Sequence, residues 1–343
     1  LRLPPGKVPA QTLQEIVFRH LGAKRREVIL GPALGEDGAL VRVGDRVLVS
    51  SVDPITGALS RIGWLAVNIS ANDVATFGVH PLYFSSCILL PEGSGEEVIE
   101  TICRQIGRAA EGIGVAVVGG HSEVTPGLDH PVVVGHSLGV AEEGRYVTSG
   151  GARPGDRLLL TKGAGIEGTA ILAADRRGPL REKLGEDLLE RAEGFFELIS
   201  VVEEATLAFE AGGVTAMHDP TEGGVAGGIH ELADASGVGF TVYEERIPVA
   251  PETRGICGFF GIDPLQLIGS GALLIAVSPD SAERVMGALS SGGIEASVIG
   301  EVSANRAERT LLRRDGSRTG LVRPLSDHLW LALERNTPSS PRP

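Results

Sequence analysis

A series of acidic residues shares one context: each stands beside glycine or a turn, and each follows a strand-like run or ends an apolar helix. They are Asp37 in GEDGAL, Asp53 in SVDPITG, Asp73 in ANDVA, Glu123 in GGHSEV, and Asp219 with Glu222 in HDPTEGG. Carboxylates delivered by separate loops are what a hard divalent cation requires, and Mg2+ usually joins a few of them to substrate phosphates. Taken singly, an Asp beside Gly is most often a turn residue. Asp73 differs, because with Asn72 it lies in NISANDVATFG, near the end of a run that includes Ile62, Trp64, Leu65 and Val67. Polar groups buried without partners cost roughly a few kcal/mol each. Asn72 and Asp73 therefore either cap backbone or hold a ligand that offsets their burial.

Other residues offer weaker chemistry. His121 follows the pair Gly119-Gly120 and suits a ligand, a general base or a plain turn histidine. Lys7, in LPPGKVPA, is either a point charge for phosphate or a solvated tail lysine. The stretch Gly163-Ala-Gly165-Ile-Glu167-Gly168 has GxGxxG spacing after a strand. A dinucleotide site also needs a second strand ending in an acid about 20 residues on. Here the chain continues instead as an Arg/Glu-rich helix from Arg176 to Glu193, and no GxxxxGK[ST] phosphate loop occurs.

The elements that must position these groups are readable from periodicity and turn chemistry. A helix over 10–21 precedes strands at Val28–Leu30, Ala39–Val43 and Arg46–Ser51. A helix over 60–77, a strand Leu82–Leu90, a helix Gly95–Gly112 and strands Val115–Val118 and Val132–Val140 follow. The turn-rich segment from Ser149 to Gly155 marks a boundary, giving domains at 1–150 and 151–335 and a Pro/Ser-rich tail, 336–343, expected to be disordered. The second half restarts with strand Arg157–Thr161 and a helix from Glu167, then a long helical stretch from Pro179 to Glu210. Strand Val214–Met217, helix 226–236, strand Phe240–Tyr243, helix 251–260, strand Leu273–Val277, helix 280–291 and strand Ser297–Val302 complete it. Strands alternating with helices in both halves indicate α/β layers.

Composition narrows the function. At 343 residues two domains are the better expectation. A net charge of −13, with Lys7, Lys24, Lys162 and Lys183 the only lysines, argues against a nucleic-acid surface. Cys87, Cys103 and Cys257 are far apart and lack metal-knuckle spacing, so reduced thiols are expected. No apolar run approaches the ~18 residues of a membrane span, and a cytoplasmic protein is expected.

Taken together, these segments resemble the ATP-binding superfamily of aminoimidazole ribonucleotide (AIR) synthase, which includes selenophosphate synthetase, thiamine-monophosphate kinase and the hydrogenase maturation protein HypE. The resemblance spans about residues 30–302. ANDVATFGVHP, DPTEGGVAGGIHELADASGVGF and IPVAPETRGICGFFGIDPLQL look most like HypE, whereas SVD, GGHS and GARPGDRLLLTK lean toward selenophosphate synthetase. The resemblance implies an α/β (α+β) protein with an N-terminal domain that dimerises through its strands and a larger C-terminal domain. ATP and Mg2+ would lie between the domains, near the partner subunit. Asp37, Asp53 and Asp73 fall on the family's metal and phosphate positions and Asp219 on its C-terminal loop aspartate. Asn72, Gly120 and Lys162 join the nucleotide set, with Lys7 or Lys162 neutralising phosphate charge and His121 as acceptor-side acid or base.

Several positions depart from the pattern. HypE ends in a Pro-Arg-x-Cys tail whose cysteine carries a carbamoyl group, whereas this sequence ends NTPSSPRP. Gly269-Ser270-Gly271 stands where HypE has a glutamate before glycine, and His121 stands where AIR synthase and HypE have an acid. Selenophosphate synthetase needs an N-terminal Cys or selenocysteine, and the first cysteine here is Cys87. The resemblance therefore implies a homodimeric Mg2+–ATP enzyme that phosphorylates an acceptor oxygen, the acceptor being a small molecule or protein-borne. The alternatives are a small-molecule kinase resembling thiamine-monophosphate kinase, or a non-catalytic ATP-binding scaffold for metallocentre maturation partners.

Overall fold

The computed structural model describes residues 3, 6–56 and 60–334. The expected disordered tail lies outside the described residues. In chain order the strands are β1 (Val28–Leu30), β2 (Ala39–Val43), β3 (Arg46–Ile55), β4 (Pro81–Leu90), β5 (Ala116–Val124), β6 (Val132–Glu142), β7 (Arg157–Thr161), β8 (Val214–His218), β9 (Gly239–Tyr243), β10 (Leu274–Val277), β11 (Ala296–Ser303), β12 (Arg309–Leu312) and β13 (Arg318–Gly320). The helices are α1 (Ala10–Glu15), α2 (Ile62–Ala75), α3 (Glu96–Gly112), α4 (Ile166–Asp175), α5 (Arg177–Leu184), α6 (Glu186–Glu193), α7 (Val202–Ala211), α8 (Gly224–Ser236), α9 (Pro251–Phe260), α10 (Ala282–Ser291) and α11 (His328–Glu334).

The strands form two sheets, in the orders β1-β2-β3-β6-β4-β5 and β13-β12-β9-β11-β7-β10-β8, and the chain passes from one to the other between Glu142 and Arg157. This is the α/β (α+β) architecture expected from the sequence. Pairing is antiparallel except between β4 and β5, whose connection is the α3 crossover, and between β9 and β12.

Helix α2 is apolar on every side because it packs on every side. Leu65, Ala66, Val67 and Ile69 meet Phe84, Ile88 and Val133 of the first sheet and Ile102 and Ile106 of α3. Its last turn, through Ala71 and Ala75, joins the core formed by α7, α10 and the second sheet. In β7 the side chains alternate, with Leu158 and Leu160 facing the core shared with α4 and α8 and Leu159 facing α7 and α10.

Four local expectations change. Strand β3 runs on to Ile55, so Asp53 lies within a strand rather than in a turn after it. Strand β5 continues through Gly119-Gly120 to Val124, because a Cβ at Gly120 would lie 2.2 Å from the Ser86 carbonyl oxygen across the ladder, and glycine keeps that pairing possible. The stretch from Pro179 to Glu210 is not one helix: it breaks at Gly185 (φ +86°) and again before α7. The N-terminal helix is only α1 followed by a short 3-10 turn, without a buried residue. Among the described residues no helix is long and apolar enough to cross a membrane.

Candidate metal and phosphate site

The site is assembled where β8 ends. His218, its last residue, places Nδ1 2.6 Å from Asp37 Oδ1 and Nε2 3.0 Å from Glu231 Oε2 on α8. The Asp37 contact is an ion-pair approach rather than a straight hydrogen bond, because the ring N–H is misaligned. Asp37 Oδ2 accepts from Ser149 Oγ at 3.2 Å, and neighbouring Glu36 accepts from the backbone N–H groups of Ser149 and Gly150, both at 3.1 Å. The turn joining the two sheets thus anchors the Asp37 loop. At the rim, Lys7 Nζ lies 3.6 Å from Glu231 Oε1, and the Lys7 backbone N–H donates to Glu222 Oε2 at 2.7 Å.

The first sheet supplies the other carboxylates. Ser51 and Asp53, two apart on β3, share a face. Ser51 Oγ donates to Asp73 Oδ2 at 2.5 Å and lies 3.5 Å from Asp53 Oδ2. Asp73 is buried in the last turn of α2. Across from it, Asp219 is 1% exposed, and neither of its carboxylate oxygens has a hydrogen-bond partner among the described residues. Asp37, His218 and Asp219 each offer one ligand atom, all within 4.8 Å of one another.

The electrostatics of the cluster would favour a cation. Burial, then the neighbouring Asp37, pushes the Asp219 carboxyl up to about 7. Burial, then Asp53 and Asp219, raises Asp73 well above the carboxylate range. Carboxylates packed together out of water resist ionising, and a divalent cation supplies the missing charge. Burial lowers the His218 pKa, but Asp37 and Glu231 outweigh it and hold it well above 6.5. A protonated imidazole has no lone pair for a metal; in that state His218 orients Asp37, and the aspartates offer the oxygen donors. This donor set, with Asp219 left unpartnered, fits Mg2+.

Two residues expected beside phosphate are committed elsewhere. Asn72 Nδ2 donates to Ile199 O at 2.8 Å, and its Oδ1 accepts from the Val201 N–H at 2.8 Å. Lys162, at φ +54°, gives Nζ to Leu198 O (2.8 Å) and Ser200 O (2.9 Å) and pairs with Glu204 Oε1 at 2.7 Å. An ammonium has three donors, and all three are taken. Both residues fasten the turn ahead of α7 instead of facing the aspartates. His121 and Gly120 lie on exposed β5, where His121 Nε2 is 3.1 Å from Glu123 Oε2. Asp37, Asp53, Asp73 and Asp219 are brought together, with Lys7 at the edge.

Ser51, Ser149, His218 and Glu231 escaped sequence reasoning. Ser51 carried a usable signal, the two-residue offset from Asp53 on one strand. His218 and Glu231 are set by contacts over a long sequence separation, which no local pattern encodes.

Residues 35–141 match the N-terminal domain model of AIR synthase related proteins, and residues 153–312 match the C-terminal domain model. The carbamoyl dehydratase HypE of Azotobacter vinelandii is 34% identical over 308 residues, covering 88% of this chain and 86% of that protein. Among solved structures, a chain of a HypE–HypF complex superposes with a TM-score of 0.73 at 26% identity, covering 91% of this chain and 99% of that one. A HypE solved in complex with ATP shares the fold, with a TM-score of 0.70 at 23% identity over 95% and 98% of the two chains.

Proposed function

This chain belongs to the HypE family of AIR synthase-related proteins, and from that premise we propose that it binds Mg2+–ATP at the aspartate cluster and activates an acceptor oxygen by phosphoryl transfer. The observation that carries this reading is Asp219, buried with both oxygens unpartnered beside the carboxylates of the first sheet and α2. When bound, Mg2+–ATP supplies the transferable phosphoryl group and the positive charge these carboxylates lack.

The chain's own residues do the positioning, which is the main protein contribution to phosphoryl transfer. Asp37, Asp53 and Asp73 offer oxygens from the first half of the chain and Asp219 from the second, so metal binding would tie the two halves together. Ser51 holds Asp73, and Ser149 with His218 holds Asp37, fixing oxygen positions before ligand arrives. Lys7 brings an ammonium to the rim, tethered by Glu222 and Glu231.

Further parts of the proposal rest on other supports. A homodimer is supported by the fully exposed β5 edge. A maturation partner is supported by the HypE–HypF complex solved for a family member. Cytoplasmic residence is supported by the scarce cysteines and their lack of pairing. The sequence resemblance favours a second reading, an ATP-binding scaffold without turnover, because it sets Ser270 in the place of a HypE glutamate. Phosphate release from ATP separates the two. The enzyme reading expects Mg2+-dependent turnover that Asp219→Asn abolishes, and the scaffold reading expects binding with hydrolysis at background.

A further inference from the structure

A pocket of about 180 Å3 lies within the second half of the chain, between the segment 244–249, the start of α9, the turn 263–266 and the residues that follow β12 and β13. None of the four aspartates lines it. Ile247, Leu265, Leu311 and Leu321, all buried, form its apolar wall with Ala226 of α8. That wall is held in place by backbone. A Cβ at Gly224, the first residue of α8, would lie 2.7 Å from Leu265 O, and the Leu321 N–H donates to Arg309 O at 2.7 Å. The space is therefore formed before any ligand arrives, as ligand pockets usually are. An apolar cavity of roughly 150 Å3 is enough to hold one benzene-sized ring.

Charged residues complete the lining, and their pairing decides what the pocket can attract. Arg313 Nη1 donates to Glu244 Oε1 at 2.9 Å, and the Arg314 backbone N–H donates to Glu244 Oε2 at 3.2 Å. Asp263 Oδ1 accepts from the Leu265 N–H at 2.9 Å and Oδ2 from Gln266 Nε2 at 3.1 Å. Both acids are thus engaged by the protein itself. The arginines are not. Arg254 commits only Nε, to Val249 O at 3.2 Å, and the Arg314 guanidinium has no partner among the described residues. Two exposed guanidinium groups with open donors therefore border an apolar space.

We propose that this pocket binds a small monocarboxylic acid with a compact apolar body of about ring size. The body packs on Ile247, Leu265, Leu311 and Leu321, and the carboxylate is met by Arg254 and Arg314. Guanidinium forks match a carboxylate in shape and charge. Because both arginines are exposed, the head group keeps part of its hydration and avoids the full desolvation penalty of a buried ion pair. A neutral ligand leaves the two cations unpaired, and an acid without an apolar body leaves the wall wet. The site stands apart from the Mg2+–ATP reading and does not rest on it.

The test is methyl-detected NMR of the full chain with labelled Ile and Leu methyls, titrated with benzoate, benzamide and acetate. Benzoate is expected to shift the methyls of Ile247, Leu265, Leu311 and Leu321. A charge-assisted hydrogen bond contributes about 1.5–3 kcal/mol, so benzoate should bind at least about tenfold more tightly than benzamide. Acetate should bind more weakly than benzoate as well. The double variant Arg254→Gln/Arg314→Gln changes only exposed side chains, so its ligand-free methyl spectrum should match the wild type while benzoate falls to the benzamide level. The proposal is overturned by no benzoate shifts, by shifts confined to other methyls, by benzamide or acetate binding as tightly as benzoate, or by benzoate affinity unchanged in the double variant. The probe comparison is made on the wild type, so it decides the matter even where the double variant fails to fold.

Discussion

His218 Nδ1 stands 2.6 Å from Asp37 Oδ1, and this contact joins the end of β8 to the loop ahead of β2. With Glu231 on its other nitrogen, the imidazole keeps its proton well above pH 6.5 despite burial. A raised pKa means that the histidine's contribution to stability is complete below about 6.5 and is lost as pH rises through the raised value. Removing one partner of a buried ion pair costs about 3–5 kcal/mol. His218→Gln is therefore expected to destabilise the protein by that order near pH 7, with the deficit shrinking at alkaline pH. Denaturant unfolding across a pH series checks this, and a deficit independent of pH would contradict it.

Lys162 is expected to act on folding rather than on phosphate. Its ammonium satisfies Leu198 O, Ser200 O and the buried Glu204 carboxylate. Lys162→Met should cost about 3–5 kcal/mol by stranding Glu204. The double variant with Glu204→Met should recover much of that. A single variant of unchanged stability but weakened nucleotide binding would return Lys162 to the phosphate site.

How far the sequence could reveal this arrangement depends on the distance over which each residue is satisfied. Asp37, Asp53, Asp73 and Asp219 were legible because each stands next to turn chemistry or a long apolar run, both local signals. The partners of Asn72, Ile199 and Val201, were not legible for the opposite reason: they lie more than a hundred residues away in sequence. The Gly119-Gly120 pair suggested a turn, since nothing local shows that Ser86 presses against Gly120 across the ladder. Most elements were readable from periodicity. The small strands β12 and β13 were not, because they are short and exist through pairing with β9 and each other.

Strand β5 is expected to be a subunit interface. It is exposed along its whole length, pairs only with β4 among the described strands, and displays Val117, Val118 and Val124 to solvent. A long apolar edge invites pairing with another chain. Analytical ultracentrifugation should find about twice the 35.7 kDa chain mass, and Val118→Arg should shift it toward monomer. A monomeric wild type would remove β5 from this role.

Metal affinity should rise as pH increases through about 7. The Asp219 carboxyl, raised by burial and Asp37 to about 7, must lose its proton to become a ligand. Titration of Mg2+ in buffers of differing ionisation enthalpy should therefore show proton release below that pH. Binding that is flat from pH 5 to pH 8 would show that Asp219 is not part of the metal site.

The most direct test of the central claim is calorimetric titration with ATP, with and without Mg2+, of the wild type and of Asp73→Asn. Asp73 sits at the meeting point of α2 and β3, held by Ser51. The expected result is binding that requires Mg2+ and is abolished by the substitution, in a variant that remains folded. Binding that is indifferent to Mg2+ or to Asp73→Asn, or no binding in the wild type, would contradict a Mg2+–ATP site at the aspartate cluster.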